Sequence, residues 1–221
     1  MKLFCLCLAL AVLPSGAQTG ASLAPIALYT QYQKDIPPAV MSALRAEVES
    51  IMAPIGLKFE WRELSGNDHA PASVELAVVN FKGLCSLEGV TAHKVLIGPL
   101  GWTHISDGTI LPFADVDCDA VHALLQKDIA FIPHVERLAV FGRALGRVMA
   151  HELYHIFANT THHGADGVGR EAYSVQDLLS TDFHFEARES NALKAGPAHA
   201  ALLTAAANST PDDAEPVNRR Q

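Results

Sequence analysis

The chain has no apolar run long enough to cross a membrane. The longest such run covers residues 3–13, follows the basic residue Lys2 and precedes the small residues Ser15-Gly16-Ala17. A short positive start, an apolar centre and a small-residue end are typical of a secretory signal peptide, which is removed on export. We therefore predict a signal peptide over residues 1–17, a mature chain that starts near Gln18, and a secreted or periplasmic protein without a membrane span.

An excess of basic residues is also missing. The chain carries 16 Lys and Arg against 24 Asp and Glu, for a net charge of −8 at pH 7. Removal of Lys2 with the signal peptide makes the charge more negative. Proteins that bind nucleic acid present a basic surface to the phosphates, so the composition argues against a nucleic-acid partner.

Cysteine is scarce. Of the four cysteines, Cys5 and Cys7 leave with the predicted signal peptide, and Cys85 and Cys118 remain. An oxidising compartment favours disulfide formation. We therefore predict a disulfide between Cys85 and Cys118, and two separately buried thiols are the alternative.

Internal repeats are absent, and about two hundred mature residues suit a single domain. Residues 18–195 form this predicted domain. Residues 196–221 are rich in Ala and then carry Pro, Asp and Arg without periodicity, a composition that predicts a disordered tail. Nothing in the sequence predicts an oligomeric state.

Turn residues and hydrophobic periodicity predict an α+β domain with one mixed sheet. Six strands are predicted, at residues 26–32, 57–64, 74–81, 95–97, 102–105 and 110–116. Asp107-Gly108 favours a hairpin between the last two strands. Helices are predicted from Pro37-Pro38 to Met52, over residues 119–127, and in a long segment that ends near residue 158. Beyond Gly164 the chain is predicted to be largely irregular, with a strand-like stub and a short helix within residues 182–194.

The long helical segment carries the most informative feature, the run His151-Glu152-Leu153-Tyr154-His155. Residues four apart lie one turn apart on the same face of a helix, so both imidazoles can bind one metal ion. Glu152 can then act as a general base on water that the ion activates. Such a motif also arises by chance in His-rich chains, so its surroundings decide its meaning.

These surroundings predict a helix that is buried on one side. Apolar residues recur upstream at the three- and four-residue spacing of an amphipathic helix, at Leu138, Phe141, Leu145, Val148 and Met149. The two histidines therefore lie at the edge of a buried face. Gly142 and Gly146 weaken an isolated helix, and their presence predicts close packing against something flat, such as a sheet.

A third metal ligand is predicted just beyond this helix. Asn159 tolerates the left-handed conformation that ends helices, and His162 and His163 follow it. Three imidazoles with an open fourth position are typical of catalytic zinc. Adjacent residues of an extended segment point to opposite sides, so only one of the two can readily face the ion. We predict His163, because Gly164 lets the backbone bend away after it; His162 is the alternative if the turn is tighter.

The motif helix, its stop residue, the further histidine and the short irregular C-terminal part resemble the metzincins, the zinc-peptidase clan of astacins, matrix metalloproteinases and archaemetzincins. Their signature is His-Glu-x-x-His-x-x-Gly-x-x-His followed by a turn that contains methionine. Here Ala158 occupies the glycine position and Thr161 the third histidine position. No Met follows Met149, so Ser174-Val175-Gln176-Asp177-Leu178 would replace the methionine turn, with Val175 or Leu178 as its apolar residue.

The chain is also similar to secreted bacterial proteins with a His-Glu-Leu-x-His helix, a Thr-x-x-His segment and a nearby Gly-Val or Gly-Leu. These features are matched here by Thr160 to His163 and by Gly167-Val168. In this resemblance, too, His163 holds the position of the third ligand.

The resemblance implies a zincin-like or metzincin-like single domain, with a twisted mixed sheet and an active-site helix. It implies a Zn²⁺-dependent metalloendopeptidase that acts on a peptide or protein substrate with Glu152 as general base. It also implies an edge strand that holds an extended substrate, for which residues 102–105 are the candidate; simple packing beneath a hairpin is the alternative. Tyr173 is a candidate for stabilising the oxyanion, against a role in packing alone.

Two other functions remain open on the sequence. One is a catalytically inactive, zinc-containing binding module, in which a fourth protein ligand such as the other histidine of the pair closes the site. The other is a metal scavenger, which the absence of His-rich repeats disfavours.

Overall fold

The computed structural model of this protein describes residues 25–64, 72–87 and 98–208. The predicted signal peptide, the polar loop at 65–71, the predicted strand at 95–97 and the end of the predicted tail at 209–221 lie outside these ranges.

Five strands and six α-helices make up the described part of the chain. The strands are β1 (Ile26–Tyr32), β2 (Phe59–Glu63), β3 (Leu76–Lys82), β4 (Gly101–Ser106) and β5 (Thr109–Asp117). The helices are α1 (Pro38–Met52), α2 (Cys118–Ile129), α3 (His134–Ala158), α4 (Val175–Leu179), α5 (Ala187–Ala195) and α6 (Pro197–Asn208). Single 3₁₀ turns occur at Ala53–Ile55 and Gly167–Gly169.

The strands form one mixed sheet, as the sequence predicted. Their order in the sheet is β2-β1-β3-β5-β4. Neighbouring strands are parallel except for β4 and β5, which are antiparallel. Asp107 and Gly108 join these two strands with φ values of 50° and 76°. Positive φ at both central residues matches the twist of a tight hairpin, so the predicted hairpin is confirmed. Strand β4 consequently forms one edge of the sheet.

The core forms where one face of the sheet meets the apolar stripes of α1 and α3. Alternate residues of the inner strands are fully buried, because successive side chains of a strand point to opposite faces; they are Ile26, Leu28, Val79, Phe81, Ala114 and Val116. Each large apolar side chain removed from water stabilises the fold by about 1.5–3 kcal/mol. The core therefore holds α3 firmly against the sheet.

The two glycines of α3 lie against a helix and not against the sheet. A Cβ added to Gly142 would lie 2.4 Å from the carbonyl oxygen of Val40, and one added to Gly146 would lie 2.8 Å from that of Leu44. Both carbonyls belong to α1. The predicted close packing is confirmed, but the predicted partner is wrong, because a pair of small residues shows only that some backbone approaches closely.

The predicted disordered tail is corrected over residues 197–208, which form helix α6. Ala has the highest helix propensity of all residues, and Pro197 occupies the first turn, where its missing N–H does no harm. Ala198 and Leu202 are buried in the main core. Tertiary packing therefore orders a segment whose composition alone shows no periodicity.

The region between the motif helix and α5 is more regular than predicted. It contains α4, which begins with a capping box in which the side chains of Ser174 and Asp177 each bond the other's backbone N–H. Helix α5 (Ala187–Ala195) matches the short helix predicted within residues 182–194, ends one residue beyond that range and has Glu189 in its first turn. The strand-like stub predicted before it is wrong, because residues 182–186 form no strand. The short α4 escaped the sequence analysis because five residues are too few to show helical periodicity.

Cys85 and Cys118 form the predicted disulfide, with their Cα atoms 4.9 Å apart. The bond joins the segment after β3 to the first residue of α2. Across the described ranges, no helix combines the length and the apolar character that a membrane span requires.

Candidate metal centre and active site

Helix α3 ends as the sequence predicted, at a left-handed Asn159 with φ 48° and ψ 53°. The N–H groups of Asn159 and Thr160 donate to the carbonyl oxygens of Ile156 and His155. The carbonyl of His162, two residues after Thr160, accepts a hydrogen bond of 3.1 Å from the Tyr154 hydroxyl. These bonds turn the chain back beside its own helix and fix the peptide that precedes His163.

Three imidazoles meet at this turn, those of His151, His155 and His163. Their ligand nitrogens all lie within 4.8 Å of one another, and the His163 ring is centred 5.2 Å from that of His151 and 4.8 Å from that of His155. His162 is exposed and lies outside this group. The structure thus brings together the three histidines that the sequence analysis preferred, and such a group could bind a metal ion.

The hydrogen bonds of the two helical histidines fix which nitrogen is free. Nδ1 of His151 lies 2.8 Å from the Val168 carbonyl oxygen, and Nδ1 of His155 lies 2.7 Å from that of Thr160. A carbonyl oxygen only accepts hydrogen bonds, so both Nδ1 atoms carry the proton and both Nε2 atoms present a lone pair. Hydrogen bonds of this kind are what orient metal-binding histidines.

In the neutral rings, with the proton of each on Nδ1, the two Nε2 lone pairs are directed at each other. His151 Nε2 and His155 Nε2 are 3.0 Å apart, and two lone pairs at that distance repel. Ligands about 2.0–2.1 Å from a tetrahedral zinc lie roughly 3.3 Å from each other. This donor pair therefore fits a cation, and the imidazole set suits zinc.

The environment keeps these histidines neutral. Burial lowers the pKa of His151 from 6.5 to about 4, with a further lowering by His155 and His163 against the raising effect of the Val168 carbonyl. Burial also lowers the pKa of His155, against the bond to Thr160. Neutral imidazole is the form that binds metal, so both side chains are in their ligand form at neutral pH.

Glu152 stands beside the histidines as a buried acid, with 4% of its surface exposed. Its Oε2 accepts a hydrogen bond of 2.7 Å from the Thr103 hydroxyl of β4. Burial raises the pKa of Glu152 from 4.5 to about 7, and the bond from Thr103 opposes this rise. A carboxyl group with a pKa near the working pH can both accept and return a proton.

Tyr173 lies beside His151, with the two rings centred 5.6 Å apart. Its hydroxyl donates to the Val168 carbonyl that also accepts from His151, and it lies 3.2 Å from His151 Nδ1. Burial and the nearby Glu152 raise the Tyr173 pKa well above 10, so the phenol stays protonated. These contacts give Tyr173 an orienting role for His151, and oxyanion stabilisation stays a prediction.

Helix α4 occupies the place of the predicted methionine turn. Leu178 is buried in the core and Val175 is half-buried at its margin. The Arg147 guanidinium donates to the Asp177 carbonyl over 3.0 Å and thereby joins α4 to α3 one turn before His151. The role of Val175 or Leu178 as the apolar residue that replaces the methionine beneath the histidines stays a prediction.

An open cleft of about 880 Å³ passes the three histidines and Glu152. Strand β4 forms one wall with Trp102, Thr103 and Ile105, and helix α2 contributes Leu124 and Lys127. Within the described residues, β4 pairs only with β5, so residues 102–105 lie at an edge of the described sheet, as predicted. Binding of an extended substrate along this edge stays a prediction.

The sequence analysis missed the part of the site that β4 supplies. Thr103 and Glu152 are 49 residues apart in the chain, and no local pattern links them. Alternation along β4 is the available signal, because it places Gly101 and Thr103 on one face and His104 on the other. His104 contacts Asp115 of β5 on that other face, with His104 Nε2 2.7 Å from Asp115 Oδ2.

No protein-family model and no curated protein matches this chain. Among solved structures, the fold is similar to that of a zinc-dependent peptidase from Methanocorpusculum labreanum (strain Z), with 12% sequence identity and a TM-score of 0.47. The similarity covers 76% of this chain and 99% of that chain. A likeness at this level assigns neither a family nor a reaction.

Proposed function

We propose that this protein is a zinc-dependent peptidase, exported from the cytoplasm, with Glu152 as its general base. One observation carries the proposal: the lone pairs of His151 Nε2 and His155 Nε2 face each other at 3.0 Å, beside a buried carboxyl group in an open cleft. A cation bound between the two lone pairs would remove their repulsion. Beside that cation, a buried carboxyl group whose pKa is raised by burial in the metal-free protein is suited to proton transfer and not only to binding.

His151, His155 and His163 would hold the zinc through their imidazole nitrogens. When bound, zinc would lower the pKa of water to about 7 and polarise a carbonyl oxygen. The position of His162 supports an open site over a closed one, because this histidine is exposed and outside the group. A closed binding module would need a fourth protein ligand, for which His162 was the candidate.

The residues of the chain supply the proton transfers of hydrolysis. Glu152 accepts a proton from the attacking water as the new C–O bond forms, and returns it to the nitrogen as the C–N bond breaks. The cleft volume of about 880 Å³ is within the usual range for ligand sites. Among the described residues, the outer edge of β4 has no paired strand, and backbone groups at such an edge can pair with an extended peptide, which supports a peptide or protein substrate.

The experiment compares purified wild type with Glu152→Gln and with Glu136→Gln, an exposed glutamate in the first turn of the same helix. We expect wild type and both variants to bind one zinc per chain. Wild type and Glu136→Gln should cleave a broad peptide library in a chelator-sensitive way, and Glu152→Gln should lose about 10²–10⁴-fold in rate. Zinc-loaded wild type that cleaves no member of the library would contradict the proposal.

A further inference from the structure

Strand β4 lies against both oxygens of the Glu152 carboxyl group and donates a hydrogen bond to one of them. Its Oε2 lies 2.7 Å from the Thr103 hydroxyl, which is also 3.2 Å from the Glu152 carbonyl oxygen. Its Oε1 lies beside Gly101, two residues earlier on the same face of β4. Neither contact is needed to bind a metal ion, and both bear on where the carboxyl group points.

Gly101 matters because it has no side chain. A Cβ at this position would lie 2.9 Å from Glu152 Oε1, 2.8 Å from Val148 Cγ1 and 3.1 Å from the Asp115 carbonyl oxygen. Glycine therefore lets the backbone of β4 approach Glu152 this closely, because any side chain here would collide with Oε1. Strand β4 donates a hydrogen bond to one oxygen of the carboxyl group and packs its backbone close to the other.

The strand is anchored from behind at the same point. Between Thr103 and Ile105 the register of β4 against β5 shifts. There, His104 Nε2 lies 2.7 Å from Asp115 Oδ2, and Lys82 Nζ lies 3.2 Å from Asp115 Oδ1. These contacts on the far face fix the position from which Thr103 reaches Glu152.

We propose that Thr103 is a positioning residue for the general base. Its hydroxyl donates to Oε2 of Glu152 and thereby fixes the orientation of the carboxyl group that takes the proton from the attacking water. When the C–N bond breaks, the same proton moves from Glu152 to the leaving nitrogen. This inference rests on the proposed peptidase function.

The test uses the full chain with Thr103→Val, which keeps the shape and removes the hydroxyl, and Thr103→Ser, which keeps the hydroxyl. Thr109→Val is the control, because Thr109 is exposed on the same hairpin. Removing a hydrogen bond to a charged group lowers a rate that depends on that bond by about tenfold to a hundredfold. We expect that loss in kcat for Thr103→Val, with KM and zinc content unchanged, and recovery to within about threefold in Thr103→Ser.

A second readout needs no turnover. In crystals of the metal-free proteins, Glu152 should keep one conformer in wild type and Thr103→Ser, and should take other conformers in Thr103→Val. Thr103→Ala serves the same purpose if the Val variant does not fold. A single unchanged Glu152 conformer in the variants without the hydroxyl, or a kcat for them within about twofold of wild type, overturns the inference. If zinc-loaded wild type shows no hydrolysis, the proposed function fails, and the conformers of Glu152 still decide the positioning role of Thr103.

Discussion

At the scale of single residues, two backbone carbonyls decide the chemistry of the metal centre. The carbonyls of Val168 and Thr160 hold the Nδ1 protons of His151 and His155, so the Nε2 lone pairs face inward. Neither carbonyl can be identified from the motif. The motif supplies the imidazoles, and the loops after the helix set their tautomers.

The choice between His163 and His162 is tested by removing each in turn. His163→Ala should weaken zinc binding by more than about a hundredfold, beyond the 10–100-fold typical of residues that only support a ligand. His162→Ala should leave zinc affinity close to that of wild type, because its side chain is exposed and its carbonyl bond to Tyr154 is retained. Competition with a fluorescent chelator measures both affinities; loss confined to the His162 variant would contradict the choice.

The stability of the metal-free protein should respond to pH through opposing effects of buried histidines and a buried acid. The pKa of His151 is lowered from 6.5 to about 4, so the unfolded chain binds more protons between these values and the free energy of unfolding rises with pH. Burial also lowers the pKa of His155, which adds to this rise. The pKa of Glu152 is raised from 4.5 to about 7, so the folded chain binds more protons there, and this second slope lowers stability as pH rises.

Glu152→Gln removes only the second of these slopes. Relative to wild type, the metal-free variant should therefore gain stability as the pH is raised from 4.5 to 7, by at most about 3 kcal/mol. Urea unfolding at several pH values measures the difference, with Glu136→Gln as the matched control. A stability difference that does not change with pH would show that Glu152 titrates normally in the folded chain.

At the scale of elements, the position of α3 depends on how closely it meets α1 and β4. Gly142 and Gly146 let α1 approach on one side, and Gly101 lets β4 approach on the other. The motif helix is thus held between a helix and an edge strand at positions without side chains. This close packing keeps Glu152 within reach of Thr103.

Gly142→Ala should destabilise the fold although Ala favours helices. The new Cβ would lie 2.4 Å from the carbonyl oxygen of Val40, and overpacking of this kind costs about 1–3 kcal/mol. Ala gains only about 0.8–1 kcal/mol over Gly in helix propensity, so a net loss is expected. Gly98→Ala, where a Cβ meets nothing within 4 Å, should change the free energy of unfolding by less than about 0.5 kcal/mol. Equal stability of the two variants in thermal unfolding would refute this account of the helix contact.

At the scale of the whole molecule, a single disulfide joins the sheet to α2, a wall of the cleft. Cys85 and Cys118 are 33 residues apart, and the loop between them includes the hairpin of β4 and β5. The disulfide therefore limits the unfolding of the segment that contains strand β4 and its residue Thr103.

Replacing both cysteines with Ala should lower the free energy of unfolding by about 3–4 kcal/mol on the chain-entropy model. Reduced wild type should show the same loss, which separates the effect of the bond from that of the lost side chains. Urea unfolding of oxidised wild type, reduced wild type and the double variant provides the comparison. A stability of the double variant equal to that of oxidised wild type would contradict this role for the bond.

Most elements of the fold and the core of the site were predictable because their signals are local. Strand β1, helix α1, the hairpin at Asp107-Gly108 and the stop at Asn159 all depend on residues a few positions apart in the chain. The spacing of His151 and His155 is also set by residues a few positions apart, and so is the position of His163 beyond the turn. Helix α6 was missed because its order depends on burying Leu202 against the rest of the protein.

The sequence by itself therefore determined which residue types meet on one face of one helix, since a helix converts four-residue spacing directly into proximity. Only the tertiary structure decided what surrounds them: Thr103 and Gly101 against Glu152, Val168 against His151, and α1 against the glycines of α3. These contacts join segments far apart in the chain, and they form because the packing of the sheet and the helices brings those segments together. The periodicity of a short segment gives no information about contacts between residues that are far apart in the chain.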